Sequence, residues 1–258
     1  VLATCLTFAC EAPLQKSSAV DVTHVEHSSV KRQAIGNCWL YAQASWLESM
    51  FKNTFSKEID VSETYWTYWD LYEKLLAHRE SSAEGLNTGG SWNQSIGIIQ
   101  KYGWVEEASF VPFESYSAMS ESQTCAEEYL TQAIQAGGSL DPSHVRSPEH
   151  LRLELDKAFG CHGLYQIDME ATYRNRHLAG GTLLNDPKTG LVKSLDRVLS
   201  GWNEIDNPAF GPWDVYEGKK LPAPSENRAY SKLGIRIMKA LNDHQPVVMS
   251  FYVSFNAP

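Results

Sequence analysis

Apolar side chains recur at helical spacing in five segments between residues 38 and 159, and this periodicity constrains the fold more than any other feature. In the first segment Leu40, Ala44 and Leu47 follow one another at intervals of four and three residues, which places them on one face of a helix. Serines before these segments and glycines after them match the preferences of helix caps. The predicted helices are 38–52, one that begins after Asp60 or Ser62, one from Ser91 to Gly103, 124–136 and 147–159.

The later part of the chain has a different character. Residues 160–227 mix Gly and Pro breakers with scattered aromatic residues, which predicts a turn-rich insertion. Such an insertion packs over a cleft, mediates assembly or forms a plain surface excursion. A further helix is predicted over 228–242, and a strand from Val247. Helices first and sheet last is the order of an α+β fold, in which helices and strands are segregated.

The boundaries follow from these changes in pattern: an N-terminal segment 1–29, a helical half 30–159, the insertion 160–227 and the start of a β-rich half 228–258. The apolar run 1–10, followed by polar residues, is similar to the end of a secretory signal. It favours a secreted, periplasmic or lipid-anchored protein, with a frayed strand in a cytoplasmic protein as the alternative. The strand-like alternation near the other end would leave an unpaired edge, so we expect more chain after Pro258.

Composition excludes several classes of function. The 258 residues are 43% apolar and 11% aromatic, too hydrophobic for a disordered chain. A net charge of −9, from 22 basic and 31 acidic residues, argues against a nucleic-acid partner or an anionic membrane surface. No apolar run reaches the roughly 20 residues of a transmembrane helix. An enzyme or a binding domain remains, and its oligomeric state does not follow from the sequence.

Cys38 carries the strongest chemical signal. A turn that contains Gly36, with Asn37 as an N-cap, places this cysteine in the first turn of the long first helix. The unpaired N–H groups and the positive end of the helix dipole favour a thiolate there, and the thiolate is the reactive form. Trp39 would form a flat apolar wall that limits access of water. A nucleophile is predicted, against the alternative of a buried cysteine that packs as a small hydrophobic residue.

Four stretches in a fixed order carry a family resemblance: residues 33–42, the aromatic segment 65–76, the loop and helix 87–103, and residues 245–251. Together they resemble papain-like cysteine peptidases, and most closely the branch of bleomycin hydrolase and the bacterial cysteine aminopeptidases. The resemblance covers roughly residues 30–115 and 242–255. It implies a papain-like α+β fold, with the helical half first, and a peptide or protein substrate.

The resemblance also implies roles for matched residues. Cys38 would be the nucleophile and Gln33 a donor to the oxyanion. Gly89 and Gly90 would bring their backbone within hydrogen-bond reach of an extended peptide, although the pair also fits an ordinary turn before a helix. Gln33 lies five residues before the cysteine, whereas the family usually has six, which puts the role of Gln33 in doubt.

The catalytic histidine and the residue that orients it have no clear match among the eight histidines. In the family this histidine follows the strand that would begin here at Pro246, so we expect it beyond Pro258. His177 is the alternative, because it lies in the window of about 130–150 residues after the nucleophile. The pair His24 and His27 has no further ligands at metal-binding spacing, so neither a metal nor a cofactor is predicted.

Cys125 and Cys161 could pair in an exported protein, or remain two unpaired thiols. The leading functional hypothesis is a peptidase that hydrolyses peptide bonds through a Cys38 thioester. A papain-like domain that binds peptide without turnover, because it has no base, is the main alternative. A different acyl-transfer enzyme on the same scaffold, such as a transglutaminase or an amidase, is a third. Endopeptidase and aminopeptidase action are not distinguished by the sequence.

Overall fold

The computed structural model describes residues 25–29, 31–82, 85–186, 190–201, 240–241 and 246–248. Within these ranges helix dominates and strands are few, the mixed composition expected of an α+β protein. The helices are α1 (Cys38–Phe55), α2 (Glu63–Leu76), α3 (Trp92–Tyr102), α4 (Glu107–Phe110), α5 (Glu121–Ala133), α6 (Pro148–Phe159), α7 (Met169–Asn175) and α8 (Leu195–Ser200). Two antiparallel hairpins pair β1 (Ser81–Ser82) with β2 (Gly85–Leu86) and β3 (Leu183–Asn185) with β4 (Val192–Ser194).

Serine side chains determine where several helices begin. The Ser62 hydroxyl accepts the Tyr65 N–H at 3.1 Å, as predicted, and Ser91 and Ser147 cap α3 and α6 in the same way. Ser120 caps α5, so this helix starts three residues before the predicted residue 124. The predicted end of α3 at Gly103 is confirmed, and the positive φ of 71° there is a conformation that glycine adopts without strain.

The aromatic helix α2 lies at the centre of the described core. In the sequence Tyr65, Trp69, Tyr72 and Leu76 follow one another at helical spacing, which predicts one apolar stripe on this helix. The buried surface differs from that stripe. Leu76 is 41% exposed, whereas Trp66 and Tyr68 are fully buried on other faces of the helix. The reason is that α1, α3, α4 and α6 all pack against α2, so nearly every face of it is covered.

The described part of the 160–227 segment is more regular than its turn residues predict. It contains α7, the β3–β4 hairpin and α8, and the side chains of Leu184, Leu195 and Leu199 are buried in the main core. The Asn185 N–H donates to the Thr54 hydroxyl at 3.1 Å, which fixes this hairpin to the C-terminal end of α1. This part of the segment therefore completes the helical core. Residues 202–227 lie outside the described ranges.

The described residues include little of the two ends of the chain. Residues 1–24 and most of the predicted helix at 228–242 lie outside the described residues, although 240–241 are helical. Residues 246–248 are described without strand pairing, and the rest of the predicted strand is also outside. In the described ranges no helix is long and apolar enough to cross a membrane, and no three potential ligands form a metal cluster.

Cys125 on α5 and Cys161, just after α6, form a disulfide with their Cα atoms 5.1 Å apart. The bond closes a loop with a sequence separation of 36 residues, which restricts the unfolded chain. We expect the double substitution Cys125→Ala/Cys161→Ala to lower the free energy of unfolding by about 2–4 kcal/mol, measured by urea denaturation. Cys38→Ala is the matched control and should leave this free energy nearly unchanged, because the Cys38 side chain is exposed. Equal stability of all three proteins would contradict this contribution.

Candidate functional site

Cys38 is the first residue of α1, and its thiol is exposed and not in a disulfide. The chain reaches it through a tight bend, in which the Asn37 N–H donates to the Ile35 carbonyl at 2.8 Å. Among the described residues, no acceptor takes the backbone N–H of Cys38. The thiol therefore sits beside unpaired N–H groups at the positive end of an 18-residue helix, an environment that favours an anion.

The side chain of Asn37 does not cap α1, which corrects part of the prediction. Asn37 occupies the N-cap position, but its side chain is buried and makes no capping hydrogen bond. Its Nδ2 donates instead to Thr67 Oγ1 at 2.8 Å on α2 and to Gln123 Oε1 at 2.9 Å on α5. The residue before the candidate nucleophile is thereby tied to two other helices.

Gln123 extends this contact into a buried polar network. Its side-chain oxygen also accepts the Tyr41 hydroxyl at 3.3 Å, and its Nε2 donates to Thr64 Oγ1 at 2.9 Å. Tyr41 is one turn after Cys38, so Gln123 contacts the chain both directly before Cys38 and one turn after it, which fixes the first turn of α1 against α5. Buried amides cost free energy unless their polar atoms are hydrogen-bonded, and these contacts supply most of the partners.

The loop that carries Gly89 and Gly90 lies against the start of α1. The Trp39 Nε1 donates to the Thr88 carbonyl at 3.0 Å. A Cβ placed on Gly90 would come within 2.3 Å of the Trp39 ring, and one on Gly36 within 2.6 Å of the Thr88 hydroxyl. The absence of side chains on both glycines therefore permits this close approach. Gly89 and Gly90 are themselves exposed, so their backbone is accessible beside Trp39, the residue after Cys38.

Gln33 directly precedes the bend and is exposed. The neighbouring Arg32 N–H donates to the Ala118 carbonyl at 2.7 Å, which fixes the backbone there. No described residue forms a hydrogen bond with the Gln33 side chain, so it is available to a ligand. Its role as an oxyanion donor stays a prediction.

The structure does not bring His177 to Cys38. The His177 backbone pairs with Trp104 through two hydrogen bonds, and its ring stacks on the Trp104 indole with centroids 4.2 Å apart. Trp104 in turn contacts the ring of Phe51 at 6.0 Å. Phe51 is roughly 20 Å along α1 from Cys38, at 1.5 Å per residue. His177 therefore lies toward the opposite end of this helix, which argues against it as the base.

The contacts that Thr88, Gln123 and Lys74 make around the site were not predicted from the sequence, and Asn37 was predicted only as a helix cap. The pairing of Lys74 has a detectable signal, since this lysine lies four residues after Asp70, a spacing at which opposite charges on a helix are neighbours. Gln123 has none, because it is 86 residues from the Asn37 side chain that it contacts.

Curated relatives match part of the chain at low identity. Aminopeptidase C of Listeria monocytogenes serovar 1/2a is 29% identical over 175 residues, which are 58% of this chain and 35% of that protein. Aminopeptidase C of Listeria innocua serovar 6a is 25% identical over 148 residues, 49% of this chain and 34% of that protein. That of Lactococcus lactis subsp. lactis is 25% identical over 146 residues, 48% and 33% respectively.

No family model matches the chain. The chain spans about a third of the length of the curated relatives it matches. These partial matches relate it loosely to peptidases, and the aligned relatives are all named as the same enzyme.

The close contact between Gly90 and Trp39 gives a direct test of the site geometry. We expect Gly90→Ala to lower the free energy of unfolding by about 1–3 kcal/mol, because the new methyl group overlaps the indole ring. Gly97→Ala is the matched control: Gly97 lies on α3 with open space around its Cβ position, and alanine there should stabilise the helix by about 0.5–1 kcal/mol. Urea denaturation of both variants measures the difference, and equal stabilities would contradict the described packing.

Proposed function

We propose that this chain is the nucleophile-bearing part of a papain-like cysteine peptidase. The observation that carries the proposal is the exposed, unpaired thiol of Cys38 on the first residue of α1, beside Trp39 and the Gly89–Gly90 loop. The partial matches to Aminopeptidase C agree with it. A free thiol at a helix N-terminus supplies the nucleophile of thiol hydrolysis, and an accessible loop backbone supplies a surface with which an extended peptide can pair.

In the proposed reaction the Cys38 thiolate attacks a peptide carbonyl carbon, with backbone N–H groups near Cys38 and the Gln33 side chain stabilising the oxyanion. A sulfur–carbon bond forms, the carbon–nitrogen bond breaks, and the amine leaves with a proton from the histidine imidazolium. Water then hydrolyses the thioester, releases the carboxylic acid and restores the thiol. Among the described residues, His177 is excluded as the source of this proton, because it lies near Phe51.

The proposal predicts an activated thiol and thiol-dependent turnover in the full-length protein. At pH 6 an ordinary cysteine is only about 0.3% thiolate. We expect iodoacetamide to modify Cys38 in the folded protein at least about tenfold faster than in the urea-unfolded protein, measured by peptide mass spectrometry. Cys38→Ser should lower peptide hydrolysis at least about a thousandfold while leaving the unfolding midpoint unchanged.

The rates of alkylation and hydrolysis, together with an assay of acyl transfer to added amines, separate the alternatives. Rapid alkylation of Cys38 without hydrolysis of any peptide would favour the non-catalytic peptide-binding domain. Equal alkylation in the folded and unfolded protein would contradict the activated nucleophile itself. Transfer of an acyl group to added amines in preference to water would favour a transglutaminase-type enzyme.

We also propose that the protein folds in an oxidising compartment after export. The support is the Cys125–Cys161 disulfide, since structural disulfides persist mainly outside the reducing cytosol. We expect non-reducing peptide mapping of the protein from its native cells to find this bond in the exported fraction. Recovery in the cytosolic fraction with both thiols reduced would overturn the proposal.

A further inference from the structure

Lys74 on α2 is a buried cation that contacts the candidate substrate loop. Only 3% of the residue is exposed, which is rare for a lysine. Its Nζ donates to Asp70 Oδ2 at 2.6 Å and to the Gly89 carbonyl at 2.7 Å, and lies 5.7 Å from the centre of the Trp39 ring. One ammonium group therefore links α2, the glycine loop and the residue after Cys38.

Burying this ammonium costs free energy, and its partners offset that cost. Burial raises the pKa of the Asp70 carboxyl to about 6, although Lys74 opposes the shift, and burial lowers the pKa of the Lys74 ammonium. A buried charge is tolerated only when it is paired and hydrogen-bonded. Its hydrogen bonds are directional, so they fix the orientation of the groups that accept them. The Gly89 carbonyl is one of these contacts, so its orientation is determined by Lys74.

The direction of the Gly89 carbonyl determines where the next N–H group points. In the trans peptide between Gly89 and Gly90, the carbonyl oxygen and the N–H hydrogen lie on opposite sides of the bond. Since the carbonyl points inward to Lys74, the Gly90 N–H points away from the core. Gly90 is exposed, and no described residue accepts its N–H.

We propose that Lys74 is a positioning residue, which holds the Gly89 carbonyl inward and thereby presents the Gly90 N–H to a backbone carbonyl of an extended peptide. The proposal rests on the proposed function only for the class of ligand, a peptide. Lys74 does not touch the substrate, and its effect is on peptide binding rather than on the reactivity of Cys38.

The test uses the full-length protein and a charge-balanced variant. Lys74→Met alone would leave the Asp70 carboxyl buried without its partner, so Asp70→Asn/Lys74→Met removes both charges together. We expect this variant to raise KM for a peptide substrate about threefold to tenfold with kcat nearly unchanged, the signature of lost binding. The rate of Cys38 modification by iodoacetamide should stay within about twofold, because this small reagent needs no glycine loop.

Lys101→Met is the matched control. Lys101 on α3 is an exposed lysine that pairs with Glu73 at 2.6 Å, so its removal also deletes one ion pair but should leave KM unchanged. Lys74→Arg retains a donor for the Gly89 carbonyl and should keep KM within about threefold. Unfolding midpoints verify that each variant is folded.

A set of peptides, each with one carbonyl replaced by a methylene group, identifies the hydrogen bond itself. In the wild-type background one member should bind about threefold to tenfold more weakly than the parent peptide, and in the charge-balanced variant that penalty should disappear. Binding is measured by calorimetry in the Cys38→Ala background, so the result does not depend on turnover.

The outcomes are distinguishable. Three results with the Asp70→Asn/Lys74→Met variant would overturn the role of Lys74. These are an unchanged KM, an unchanged penalty for the modified peptide, and a loss of iodoacetamide reactivity as large as the loss of peptide binding. Absence of both fast alkylation and hydrolysis in the wild-type protein would overturn the proposed peptidase function, whereas the calorimetric series would still support or contradict Lys74.

Discussion

The enclosure of α2 is the constraint on which the described structure depends. Tyr65, Trp66 and Tyr68 are fully buried on different faces of this helix, so the helices packed around it are held at fixed positions. The same helix supplies Thr67, which contacts the residue before Cys38, and Lys74, which contacts the glycine loop. The aromatic core and the candidate site therefore depend on the position of the same helix. A change in the tilt of α2 would displace both Thr67 and Lys74, and with them the residue before Cys38 and the glycine loop.

Several polar side chains are buried around α2, and their burial costs free energy that apolar residues would not. Asn37, Gln123 and Lys74 are all buried, and each must be hydrogen-bonded to be tolerated there. Apolar substitutes could fill the same volumes, but they would not specify the direction of a carbonyl or the register of a helix start. Hydrogen bonds are directional, so these three residues hold the start of α1 and the loop in one relative orientation.

Local patterns predicted the elements but not their contacts. The α1, α2, α3 and α6 helices follow from apolar spacing and serine caps, which act within a few residues and are therefore readable from sequence. The β3–β4 hairpin and α8 were missed, because their burial depends on contacts such as that of Asn185 with distant Thr54. At the site, the sequence motif placed Cys38 at a helix start beside Trp39. It could not show that Asn37 turns inward, because its acceptor Gln123 lies on another helix.

The described cysteines have two different roles: one is a free thiol, and the other two form a disulfide. Cys38 is exposed and free, while Cys125 and Cys161 are paired with each other, so neither offers a thiol that could form a bond with the candidate nucleophile. The disulfide also ties α5 to the chain just after α6, and α5 carries Gln123, the acceptor of the Asn37 amide. The cross-link therefore stabilises the helix that holds the start of α1. An oxidising compartment keeps this disulfide intact, and the same conditions favour oxidation of an exposed free thiol such as that of Cys38.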